Sequence, residues 1–284
     1  MSPTIEGCQI PLGKSDPDKI NTQWNDEDVL PPVLSPDTAF VFDRMTAETL
    51  KAARTENGSR VLDVGCGRAI DAASLARNGS HLFGCDPSRV MLQKARGWLQ
   101  QKEAQVVLVG GIAETLPFVD GAFQGVVCKG AIDHFMNPQN AVTEMCRVAS
   151  PGGKVVLSVA NFESLSCRLG RWLDRLHRKI AGRGLSGPHI WDIPQDHTYK
   201  FDYSTTLSLA KRNMAGVSVQ GVSLLWGFPR WSSFLKAFPH PVVSTILRLL
   251  DRIAAWHPAW SDVLIVTGRP LKKFPRSERK QKNG

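Results

Sequence analysis

Val61-Leu62-Asp63-Val64-Gly65-Cys66-Gly67 decides how this chain is read. A mainly apolar run enters a Gly-x-Gly turn, the pattern of a buried strand that stops at a tight loop. A helical stretch follows, then a second apolar run that ends on Asp86. Gly65 and Asp86 stand 21 positions apart, close to the roughly 20 expected of one strand-helix-strand unit. Glycines let a ligand approach the backbone, and a carboxylate at the end of the second strand can accept two hydrogen bonds from a ribose diol. The pattern predicts a site for a nucleoside-containing cofactor.

What the turn lacks narrows that cofactor. A dinucleotide fingerprint requires Gly-x-Gly-x-x-Gly, its third glycine letting the helix pack close beside the pyrophosphate. In the frame Gly65-Cys66-Gly67-Arg68-Ala69-Ile70 that place is taken by Ile70. No Gly-Lys-Ser/Thr follows, which excludes a P-loop. Asp63, just ahead of the turn, would repel a pyrophosphate and suits a ligand carrying an ammonium and a sulfonium. The turn therefore fits S-adenosylmethionine better than a nicotinamide dinucleotide.

Four further segments follow in order. Gly84-Cys85-Asp86-Pro87-Ser88 closes the second strand, and Ala113-Glu114-Thr115-Leu116-Pro117-Phe118 forms a loop. Val126-Val127-Cys128, then Asp133-His134-Phe135, mark a fourth strand and the loop after it; Arg147-Val148-Ala149-Ser150-Pro151-Gly152-Gly153 turns into a fifth. With Val61–Gly67, these segments make residues 60–160 resemble the class I S-adenosylmethionine-dependent methyltransferases. The resemblance implies a Rossmann-like, seven-stranded, mostly parallel α/β sheet. Its last strand would run antiparallel next to the sixth, with helices on both faces and a helical cap. The resemblance also implies that Asp86 holds the ribose, with Pro87 beside it, and that Asp63, Gly65, Cys66, Gly67 and Lys129 contact the cofactor. The adenine would lie against the backbone of Ile112 and Ala113, or against Leu116 and Phe118. Two positions depart from the family: Ala69 replaces a third glycine of the turn, and Ile112 stands where an acid commonly meets the adenine amino group. Loss of one such hydrogen bond weakens binding by about 1 kcal/mol.

Short apolar runs near 60–65, 81–85, 105–109, 124–129 and 154–160 alternate with helical stretches near 70–78, 88–102 and 138–149, as in a parallel sheet. A helix over 38–55, capped near Ser35 or Asp37, precedes this core. A helix over 204–214 leads through Gly216 to a sixth strand over 217–225, and 262–267 reads as the seventh. The boundaries expected are an extension over 1–35, a methyltransferase domain over 36–268 with cap segments at 161–203 and 226–260, and a basic, disordered tail over 269–284.

Composition agrees with one large α/β domain plus additions: 284 residues, 42% hydrophobic, with 8 tryptophans. Six cysteines show no Cys-x-x-Cys and no paired spacing. Cys66, Cys85 and Cys128 fall at strand ends, as expected of reduced structural thiols in a cytosolic protein. Residues 1–20 lack an apolar run, so no signal peptide is read, and no stretch approaches 18 uncharged apolar residues. The expected location is the cytoplasm, with peripheral membrane contact as its extension. The net charge of +9 is uneven, with seven basic residues from Arg269 onward against Glu278 alone. That run reads as a solvated tail or as a contact for anionic lipid; nothing resembling an RNA-binding module accompanies it, which speaks against nucleic acid.

Two segments lie outside the minimal core. Over 164–183, Leu165, Leu169, Trp172, Leu173, Leu176 and Ile180 form one apolar stripe amid six basic residues, with Asp174 the only acid. The simple expectation is a cap helix that docks this stripe on the core and leaves its arginines in water. The alternative is a basic amphipathic helix lying on an anionic membrane. Over 226–260, Val242, Val243, Ile246, Leu247, Leu250, Ile253 and Ala254 make a second apolar face flanked by Trp231, Trp256 and Trp260, expected to cover a site for a bulky apolar acceptor, with a self-packed helical lid and a membrane interface as the alternatives.

An acceptor that loses a proton needs a general base. His134, with Asp133 beside it after the fourth strand, is the first candidate; His197 is the second and His189 a distant third. Asp133, Tyr199 and Trp226 are the expected acceptor contacts. The histidines and aspartates show no metal-ligand spacing, so no metal is expected. The function expected is methyl transfer from S-adenosylmethionine to an oxygen or nitrogen of a hydrophobic aromatic or lipid-like small molecule. The alternatives are a non-catalytic partner with the same fold and a protein or RNA methyltransferase. Lys129-Gly130-Ala131-Ile132 argues against the last, because the Asn-Pro-Pro-Tyr-like tetrapeptide of amino-group modifiers is absent.

Overall fold

A computed structural model describes residues 21–26, 34–76, 79–186, 189–192 and 197–271. Seven strands form one sheet: β1 (Arg60–Val64), β2 (His81–Asp86), β3 (Val106–Gly110), β4 (Phe123–Lys129), β5 (Ala149–Ala160), β6 (Met214–Val222) and β7 (Val263–Pro270). Their order is β3-β2-β1-β4-β5-β7-β6. β1 to β5 pair in parallel, and β7 runs antiparallel to both β5 and β6, between them.

The helices are α1 (Pro36–Ala52), α2 (Ile70–Ala76), α3 (Arg89–Gln101), α4 (Pro138–Val148), α5 (Leu165–Ala181), α6 (Tyr203–Asn213), α7 (Trp231–Lys236) and α8 (His240–Trp256). Side-chain caps begin several of them: Ser88 accepts from Met91 N at 3.2 Å, Asn137 from Asn140 N at 3.0 Å and Asp202 from Thr205 N at 2.7 Å. Alternate strand residues point to opposite faces. Leu62, Val126 and Leu157 pack with Met145 of α4 and Leu209 of α6; Val61, Val127 and Val156 pack with Val41 of α1, Ala72 of α2 and Ala95 of α3. Burial on both faces is why these strands read as continuous apolar runs. The crossover helices change face between β1 and β4, and ligands of open α/β sheets bind at the carboxyl ends beside such a switch point.

Several expected boundaries move. β6 begins at Met214 rather than 217, because Gly216 (φ 60°) is a bulge inside the strand and not a loop before it. It ends at Val222, where Ser223 and Leu225 adopt φ 61° and 67° and turn the chain. β7 runs through Arg269 and Pro270, so the domain extends past 268; the rest of the tail, 272–284, lies outside the described residues.

The cap reading of α5 is corrected. The residues it buries are Ser166, Cys167, Gly170 and Asp174, not the apolar stripe. Trp191 occupies the seam: a methyl on Gly170 would lie 2.0 Å from its indole ring. Asp174 accepts from Leu185 N at 2.7 Å and pairs with Arg178 at 2.8 Å. The helix thus docks through small and hydrogen-bonding residues, and of its apolar stripe Leu169, Trp172, Leu176 and Ile180 are exposed while Leu165 and Leu173 are half-buried. The reading of 226–260 as a lid also changes. Leu235, Val243 and Leu247 of α7 and α8 pack with Phe40 of α1, and Asp251 pairs with Arg44 at 2.8 Å. α7 therefore packs beside α1, and α8 lies against β6, where Asp251 also accepts from Ser223 N at 3.0 Å.

Candidate active site

At the carboxyl ends of β1, β2 and β4 lies a cavity of about 650 Å³. The glycine turn is its floor. Gly65 N and Cys66 N donate to Cys85 O at 2.8 and 3.2 Å. Asp86 accepts from Gly67 N on Oδ2 at 2.9 Å and from Ser88 N on Oδ1 at 2.8 Å. Gly65 (φ 71°) is required twice over, because a methyl there would also meet Ala131 Cβ at 2.6 Å. Ala69 takes a left-handed conformation (φ 56°) in place of the family's glycine, at a cost of about 1–2 kcal/mol.

Acid dominates this floor. Asp63 lines the cavity and is 4% exposed. Burial, then the charges of Asp71 and Asp86, push its carboxyl up to about 8 against the opposing pull of Lys129. Lys129 itself is engaged by Asp71 at 2.8 Å and by Thr46 Oγ1 at 2.7 Å. Burial also raises Asp86, against the two backbone donors that favour its charged form. The thiols are inert by the same physics: burial pushes Cys85 up to about 12 and raises Cys66 and Cys128 well above the usual thiol range.

A pH dependence follows. An acid whose folded pKa lies above its unfolded value adds stability below the unfolded value and loses it as pH rises through the folded one. For Asp63 that window runs from about 4 to about 8. Without ligand, the melting temperature of the wild type should fall more steeply between these pH values than that of Asp63→Asn. Scanning fluorimetry across the range checks this, and parallel curves would refute the buried charge.

The loop after β4 supplies the second chemical group. Asp133 and His134 sit in a one-turn helix, Ile132–His134, and Asp133 O accepts from Thr198 N at 2.8 Å, drawing the distant 197–199 segment in. His197 Nδ1 lies 3.1 Å from Asp133 Oδ2. The His134 and His197 rings meet edge to face, centroids 4.6 Å apart. His134 lines the cavity; the pair Asp133–His197 stands behind it. Ligand atoms of these three residues lie within 4.8 Å of one another, a grouping a divalent cation could also use.

The remaining expectations divide. Pro87, Ile112 and Ala113 line the cavity. Leu116 and Phe118 do not: Leu116 is buried in the core, and Phe118 packs edge-on against Phe123 at 5.0 Å. Tyr199 lies outside the lining and donates to Met136 O at 3.1 Å. Trp226 also lies outside, bonding Thr38 Oγ1 at 3.2 Å and packing edge-on against Phe42, which does line the cavity. His189 stacks on Trp191 at 4.3 Å. None of residues 226–260 lines the cavity.

Sequence reasoning missed two contributors. Asn21, Trp24 and Asp26 belong to the wall, although 1–35 read as an extension. Ser88 Oγ donates to Trp24 O at 2.6 Å, Asp26 pairs with Arg68 at 2.6 Å, and the Trp24 ring lies 5.9 Å from that of His134. The isolated large aromatic in a polar stretch was the available signal. Phe42, Met45 and Thr46 of α1 complete the wall.

Comparison with known proteins agrees with this geometry. The family described as "Methyltransferase domain" matches residues 62–157. The ubiquinone biosynthesis O-methyltransferase of Alkalilimnicola ehrlichii is 36% identical over 105 residues, 37% of this chain and 42% of that protein. The demethylmenaquinone methyltransferase of Corynebacterium efficiens is 33% identical over 164 residues, 56% of this chain and 66% of that one. The chain thus spans about half the length of the curated relatives it matches. The crystal structure of the YcgJ protein from Bacillus subtilis shares the fold, with a TM-score of 0.53 at 19% identity over 80% of this chain and 98% of that one. Residues 62–157, about a third of the chain, thus match the methyltransferase-domain family, and the whole sheet has the Rossmann-like fold of the solved methyltransferase-type structures.

Proposed function

We propose that the chain transfers the methyl group of S-adenosylmethionine to a hydroxyl oxygen of a hydrophobic, ring-bearing small molecule of the quinone-precursor kind. One observation carries the reading: Asp63, Asp86 and His134 open on the same cavity. A cluster of buried carboxylates fits a ligand with an ammonium and a sulfonium and rejects a pyrophosphate. The names of the two curated relatives support a quinone-type acceptor.

S-adenosylmethionine supplies a methyl group made electrophilic by its sulfonium. Asp86 would receive the ribose, Asp63 would draw the ammonium, and Ile112 with Ala113 would flank the adenine. Trp24, Phe42, Met45 and Phe135 give an apolar wall that holds a ring and keeps water out. His134 takes the acceptor's hydroxyl proton on a ring nitrogen as the oxygen becomes a nucleophile. Asp133 fixes the orientation of His197, whose ring in turn buttresses His134.

The test is incubation of the chain with methyl-tritiated S-adenosylmethionine and a panel of hydroxylated benzenes, with and without isoprenyl tails. Label should enter the tailed phenols, and chelator should leave the rate unchanged if His134 acts as a base. Loss of activity with chelator would assign the Asp133–His134–His197 group to a metal. Cofactor binding with no label in any acceptor would favour a non-catalytic partner.

A further inference from the structure

α5 has three faces. The docked one is made of Ser166, Cys167, Gly170 and Asp174. A second, spanning about 100° of the circumference at 3.6 residues per turn, carries the apolar stripe. Along it Trp172 is 54% exposed, Ile180 79%, and Leu169 and Leu176 39% and 38%. The third is basic. Arg171 is neutralised by Glu163 at 2.5 Å and Arg178 by Asp174 at 2.8 Å. Arg168, Arg175, Lys179 and Arg183 are exposed and have no carboxylate partner among the described residues.

We infer that this outer face of α5 docks on an anionic lipid bilayer. A row of large apolar side chains in water is unfavourable, and the protein's own core does not cover it. A helix lying in the plane of a bilayer interface satisfies both outer faces at once. Its apolar arc enters the headgroup-acyl boundary, while its cations meet anionic headgroups. A second copy is the poorer occupant, because a twofold contact would bring the unpaired cations toward those of its twin.

Neighbouring groups extend the surface. Asn161 Nδ2, just ahead of α5, donates to Ala259 O at 3.2 Å and Ser261 O at 2.8 Å, bringing up the segment with Trp260, 44% exposed. Indoles favour the interface. α5 also leaves the carboxyl end of β5, the edge of the sheet on which the cavity lies. The inference does not depend on what the cavity binds.

The full chain should be floated with vesicles of phosphatidylcholine alone and of phosphatidylcholine with phosphatidylglycerol. Binding is expected to the anionic vesicles at low salt, and at least about tenfold less to neutral vesicles or at high salt. The double variants Trp172→Ser with Ile180→Ser, and Arg168→Glu with Arg175→Glu, should each lower the partition at least about tenfold while melting as the wild type does. Three results would overturn the inference. Wild type could fail to bind anionic vesicles at low salt. Both variants could bind as wild type does, moving the contact to another segment such as 272–284. Or the chain could be a dimer that ignores vesicles and becomes monomeric in the serine variant, giving the face to a second copy.

Discussion

Replacing His134 by alanine should lower turnover by about 10²–10⁴-fold, the usual contribution of a positioned base, and leave S-adenosylmethionine affinity unchanged. The asymmetry follows from placement: the ring faces the cavity from the loop after β4, whereas the cofactor's expected contacts, Lys129 at the end of β4 apart, lie at the ends of β1 and β2 and in the loop at 112–113. His197→Ala should cost less, about 10–100-fold, because it acts by holding another side chain rather than by touching the acceptor. Single-turnover rates with one tailed phenol, measured beside calorimetric cofactor affinities, separate the two. Added imidazole should restore part of the His134→Ala rate. Equal turnover in wild type and His134→Ala would remove histidine from the chemistry.

Asp86→Ala should weaken S-adenosylmethionine by about 10²–10⁴-fold. Hydrogen bonds to a charged group are each worth about 1.5–3 kcal/mol, and about 1.4 kcal/mol is a tenfold change in affinity. Besides the ribose contact, the substitution strips Gly67 N and Ser88 N of their acceptor and loosens the turn itself. Asp86→Asn distinguishes the two effects, since its one amide oxygen can serve only one of the two donors and carries no charge. Calorimetric titration reads both variants. An Asp86→Ala protein that binds within tenfold of the wild type would displace the cofactor from this end of β2.

The cofactor half of the molecule was legible because its signals are local. Val61–Gly67 and Asp86 sit within one strand-helix-strand unit, and both faces of that sheet are covered, so periodicity and turn chemistry report it directly. What escaped depends on segments far apart in sequence. An apolar stripe on α5 says only that some face is greasy. Which face docks was decided by Gly170 opposite Trp191 and by Leu185 reaching Asp174. Phe118 and Ile112 are both apolar loop residues, and only the packing of Phe118 on Phe83 and Phe123 separates core from site. Trp24 is positioned by its backbone carbonyl on Ser88, a bond any residue type could make, so its sequence showed an anchor but not where it docks. Trp226 lies outside the cavity lining, where Phe42, from a helix more than 180 positions earlier, packs edge-on against it.

The antiparallel insertion of β7 has a consequence for how the molecule is made. Among the described residues β6 pairs only with β7, which enters the sheet beside β5. During synthesis the nascent chain can therefore assemble β1 to β5 as soon as they emerge, but β6 lacks its native partner until β7 has left the ribosome. Asp262, at the head of that strand, then accepts from Trp226 N at 2.9 Å and from Ser166 of α5. One late event thus completes the sheet and ties down both α5 and the turn after β6. Nascent chains stalled short of residue 263 would carry a finished glycine turn and an unanchored outer helix.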